Sequence, residues 1–162
     1  MGHHKDHHFS NFDWALIAIN SAVLLLSWVY LIAWYPALPE IIAVHFDVVG
    51  KPNGYSSKEN IWFAPFLFTL LSIAFIFGAK YQETITYPKR RIDKLERISN
   101  LKMMLFTALL LAILCPIILY TMIKASIIEN FEMPWILPLV LGIVLLYLPV
   151  VLYYKFKTLK LS

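Results

Sequence analysis

The chain has 162 residues, 60% of them hydrophobic and only 15% charged, with a formal net charge of +4. A water-soluble domain of this length needs more polar surface to cover its core, so the composition excludes an ordinary soluble fold. The basic excess is distributed as membrane topology demands, which sets nucleic-acid binding aside.

In chain order, the first segment is a polar tail, residues 1–13, whose MGHHKDHH clusters four histidines. Histidines at that density can hold a transition metal. The cluster also resembles an altered purification tag, and it is left out of the fold. Residues 14–39, 60–79, 103–123 and 133–154 contain no Asp, Glu, Lys or Arg. A hydrocarbon core of about 30 Å takes about 20 helical residues at about 1.5 Å each. The expectation is an all-α membrane protein of four transmembrane helices, over 14–34, 61–79, 103–123 and 133–154. A prokaryotic plasma membrane is the expected location.

Inside those spans there is no ionisable side chain other than Cys115 and tyrosines, which argues against a proton or sodium pump. Asn20 is expected to hydrogen-bond between helices. Pro116, Pro138 and Pro149 are expected kink points in the last two helices. Trp14, Trp34, Trp62 and Trp135 stand near span ends, where indoles favour the headgroup layer, and Trp28 reads as a packing residue. Cys115, the single cysteine, reads as an inert buried thiol.

Lys5, the basic residues of 80–102 (Lys80, Lys89, Arg90, Arg91, Lys94, Arg97, Lys102) and Lys155, Lys157 and Lys160 fall on one side of a four-span chain. Only Lys51, Lys58 and Lys124 fall on the other, so both termini are expected in the cytoplasm and the 35–60 loop outside. In the inner loop, Pro88 can start a helix whose Ile92, Leu95, Ile98 and Leu101 form an apolar stripe. Lys89, Arg90, Arg91, Lys94 and Arg97 around that stripe are expected to meet anionic lipid. The C-terminal tail, 156–162, is expected to be cytoplasmic.

The outward segment, YPALPEIIAVHFDVVGKPNGYSSKEN, is the most polar long stretch. Pro36 and Pro39 end the first span and favour extended backbone before each ring. IIAVHFDVV reads as a short strand or a half-inserted stretch. Asn53-Gly54 is the strongest local turn signal, and Ser56 with Glu59 reads as a capping box for the second helix. An ordered loop results, with His45 and Asp47 on one face if the stretch is a strand.

These residues resemble the N-terminal domain of unknown function in SdpI-like membrane proteins, a family named for immunity to a sporulation-delaying toxin. Tyr35, Pro36, Leu38, Pro39, His45, Phe46, Gly50, Pro52, Gly54 and Lys58 match the pattern. Ala43, Asn53 and Tyr55 stand where the family has Pro, Asp and Trp. The resemblance implies toxin immunity and, in the named member, binding of a repressor at the membrane. Because Asn53 supplies no carboxylate, a His–Asp catalytic or metal pair is weakened.

Three functions compete on these grounds. In the first, His45, Asp47, Gly50, Asn53, Gly54, Tyr55 and Lys58 bind a peptide toxin, a lipid or a partner protein, with Pro36 and Pro39 as structural residues. In the second, the chain is an accessory subunit of a larger membrane complex. In the third, His45 serves a membrane-surface enzyme. No catalytic set, metal site or cofactor is expected.

Overall fold

In the computed structural model, residues 9–85 and 94–159 are described. The expected contacts of Lys89, Arg90 and Arg91, the helix start at Pro88, and the histidine tail lie outside them. Four helices and one hairpin follow in order. They are α1 (Asn11–Trp34), β1 (Ile41–Phe46), β2 (Pro52–Ser57), α2 (Phe63–Ile85), α3 (Lys94–Ile127) and α4 (Ile136–Leu159). Short 3-10 turns at Tyr35–Ala37 and Lys58–Trp62 join the hairpin to α1 and α2.

Helices α1, α2 and α3 are each long and apolar enough to cross a bilayer, and α4 has a shorter apolar stretch, Pro138–Tyr154. This is an integral membrane protein. Large apolar side chains such as Leu25, Leu26 and Ile32 of α1, Phe66 and Ile73 of α2, and Leu145 and Leu146 of α4 point outward. That arrangement is stable only where lipid replaces water around the bundle.

The buried residues of α1 are Asp13, Leu16, Asn20, Leu24, Ser27 and Leu31. Their three- and four-residue spacing makes one helical face, directed at the neighbouring helices. Helix α3 is central, packed against α1, α2 and α4. Small groups allow close approach here: Ala108 and Ala112 of α3 are buried, and Ser72 of α2 donates to the Ala108 carbonyl. Trp28 donates from its indole nitrogen to Thr69 at 3.0 Å, tying α1 to α2.

Several local expectations can be set against the structure. Asn20 is buried, but its amide nitrogen has no hydrogen-bond partner among the described residues. Helices α3 and α4 run continuously through the expected kink points. Pro116 and Pro149 sit inside α3 and α4, while the non-helical residue recorded within a helix is Tyr81 of α2. Pro138 falls in the first turn of α4, where a missing N–H removes no helical bond. Ile98 and Leu101 of the expected stripe are part of α3 itself, with Leu101 buried, so this helix runs on into the bundle.

A charged pair closes the end of the bundle opposite the hairpin. Lys102 of α3 donates to Asp13 Oδ1 at 2.5 Å, with side chains 15% and 5% exposed. Asp13 also forms the capping box of α1, since its Oδ2 accepts from Ser10 N and Ser10 Oγ. Lys102 Nζ lies 4.6 Å from the Phe12 ring centroid. Each residue stands one position outside an uncharged run, which is why the sequence reading did not join them.

Candidate functional site

At the other end, the hairpin is docked rather than suspended. Leu38, Ile42 and Ile61 are buried in one core with Leu31 of α1 and Leu119, Met122 and Ile123 of α3. Strand β1 turns its edge to α3: the Ala43 amide donates to Ser126 Oγ at 3.0 Å, and Ser126 donates to the Met122 carbonyl. A proline at position 43 has no N–H for this bond, so Ala43 suits the docking used here.

The turn is not at Asn53-Gly54. It is formed by Asp47, Val48, Val49 and Gly50, with Gly50 N donating to Asp47 O at 3.0 Å. Asp47 Oδ1 accepts from the amides of Val49 and Lys51, at 3.0 and 2.9 Å, which folds the turn around its carboxylate. Asp at the first and Gly at the fourth position is a standard turn pattern, outweighed in the sequence reading by Asn-Gly. Gly50 has φ of 76°, and a Cβ there would fall 2.4 Å from the Met133 carbonyl oxygen. Only glycine permits both that backbone and that approach.

Asn53 and Gly54 lie inside β2 instead. The register pairs Ala43 with Tyr55, His45 with Gly54 and Phe46 with Pro52, leaving Val44 and Asn53 without cross-strand partners. Gly54 is required by its neighbour: a Cβ there would sit 2.9 Å from both Cβ and Cδ2 of His45. Asp47 lies beyond β1, in the turn, so the shared strand face expected for His45 and Asp47 does not form. His45 is exposed, and among the described residues no group of three His, Cys, Asp or Glu side chains is placed to hold a metal.

Lys58 is a tether. Its ammonium binds Glu40 Oε1 at 2.6 Å and lies 5.7 Å from the Tyr35 ring centroid, while its amide donates to Glu40 O. It is the first residue of the 3-10 turn that leads into α2. Tyr35 also packs on Trp62 at 4.9 Å, with Pro36 and Pro39 shaping the chain between α1 and β1. The expected capping box of Ser56 and Glu59 does not form. Ser56 is still paired with Ile42 and accepts from Asn60 Nδ2, and Ser57 stands at the cap position of the 3-10 turn without a side-chain cap hydrogen bond.

What remains open is a cavity of about 290 Å³ between β2 and the α3–α4 connection. Lys51, Pro52 and Tyr55 line one wall; Ser126, Glu129, Asn130 and Phe131 belong to the other. Lys51 also reaches Glu132 at 3.7 Å. Of the expected binding residues only Tyr55 lines this cavity. The opposite wall went unread in the sequence, although SIIENFE is the other polar stretch assigned to the same side.

Residues 22–69 match a domain of unknown function, DUF1648. The match begins inside α1, takes in the whole hairpin and ends in α2, so it covers β2 but neither α3 nor α4. Over 77 residues the chain is 29% identical to an uncharacterized protein of Archaeoglobus fulgidus. The aligned stretch is 46% of this chain and 42% of that protein, so the chain spans less than half the length of the curated relative it matches. No solved structure matches.

Proposed function

We propose that this is a four-span membrane recognition protein whose hairpin end faces out of the cell and binds a short peptide. The observation that carries the reading is the open cavity beside β2, with the Lys51 ammonium and Tyr55 phenol on one wall and Glu129 and Asn130 on the other. Such a set can meet a peptide's carboxylate, amine and backbone amides together. The similarity of the hairpin segment to SdpI-like proteins supports a toxin peptide as the ligand, with immunity as the outcome. The inner basic residues, including Lys94 and Arg97, would hold the cytoplasmic end against anionic lipid.

The test is survival of cells expressing the chain when challenged with the sporulation-delaying toxin peptide. Protection is expected for the unaltered protein and loss of it for Tyr55→Ala and Lys51→Ala at equal membrane abundance. Death of cells expressing the unaltered protein, or full protection by both variants, contradicts the reading. The accessory-subunit alternative draws on the hairpin tip, where Val48 is 76% exposed beside Val49. It predicts that Val48→Asp releases a co-purifying membrane partner while Tyr55→Ala does not.

A further inference from the structure

We infer that the outer end of the α1–α3 groove is a binding site for the phosphate group of an anionic membrane lipid, separate from the hairpin cavity. Three outward lysines are available. Lys51 lines the hairpin cavity, 3.7 Å from Glu132, and Lys58 is held by Glu40, whereas among the described residues no carboxylate pairs with Lys124. Lys124 does have a built surround. Its ammonium lies 4.5 Å from the Trp34 ring centroid and 5.9 Å from that of Tyr120, and Trp34 packs on Tyr30 at 6.2 Å.

The cluster follows from helical spacing. Tyr30 and Trp34 are one turn apart on α1, and Tyr120 and Lys124 are one turn apart on the facing α3. The Tyr30 hydroxyl is buried with no hydrogen-bond partner among the described residues. A buried hydroxyl without a partner is costly unless something satisfies it. A cation without a counter-ion is complementary to a phosphate, whose charge it neutralises, and the Tyr30 phenol of the same aromatic cluster donates to an oxygen once the headgroup displaces the side chains that cover it.

Membrane lipid is the source that fits. Trp34 and Tyr120 sit where the apolar runs end, at headgroup depth, and Ile113, two turns below Tyr120 on the same face of α3, is partly exposed to receive an acyl chain. Native mass spectrometry of the whole protein, released from micelles with phosphatidylglycerol, with phosphatidylcholine or with inorganic phosphate, tests this. Phosphatidylglycerol should be retained about tenfold more than phosphatidylcholine, the scale of one charge-assisted contact. Lys124→Arg should keep that preference, Lys124→Gln should abolish it, and Tyr30→Phe, which keeps the ring, should reduce retention severalfold. An unchanged preference in Lys124→Gln overturns the site. Displacement of the lipid by millimolar inorganic phosphate overturns the lipid as its occupant, and retention unaffected by Tyr30→Phe removes the phenol from it.

Discussion

Gly50 shows how much one residue controls at the hairpin. Its left-handed backbone closes the Asp47 turn, and its missing side chain lets the turn rest on the Met133 carbonyl. Gly50→Ala should therefore lower stability in detergent by more than about 1 kcal/mol, read as the unfolding midpoint in a denaturant titration. Gly142 of α4 has no atom within 4 Å of a built Cβ, so Gly142→Ala should leave the midpoint unchanged or raise it slightly. Equal losses at both positions would show that the Gly50 contact is not responsible. His45 teaches the converse lesson. A lone histidine in a polar loop invites a catalytic role, but here its ring packs over Gly54 and its expected partner, Asp47, is engaged by turn amides.

At the scale of elements, helices and hairpin were unequally legible. The charge-free runs marked out α1, α2 and α3, because a bilayer imposes a length that composition displays directly. The ordered loop was legible as well, from its prolines, β-branched run and turn residues. Its register was not. Pairing shifts at Val44 and Asn53 arise from docking on α3 and from the approach of His45 to Gly54, and neither is visible in local propensity. The second wall of the cavity and the Asp13–Lys102 link were hidden for the same reason, being contacts between residues far apart in sequence. That link is predicted to hold α1 to α3. Asp13→Asn or Lys102→Met alone should destabilise by about 3 kcal/mol, because each strands a buried charge, while the double variant should lose less than the sum. Additive losses in the double-mutant cycle would mean the two side chains do not interact.

For the whole molecule, chemistry divides by end. One end carries Asp13, Arg97 and Lys102; the other carries the hairpin, the cavity and Lys124. Helix α3 spans the distance between them, so any orientation that puts the basic end in the cytoplasm presents the hairpin outside. Peptide recognition and the outer lipid site both require that orientation. Its most direct test is cysteine labelling in intact cells. With Cys115, already buried, replaced by alanine, Asn53→Cys places a thiol on the exposed face of β2. A membrane-impermeant maleimide should label it fully before the cells are opened. Labelling only after permeabilisation would place the hairpin in the cytoplasm and contradict the account.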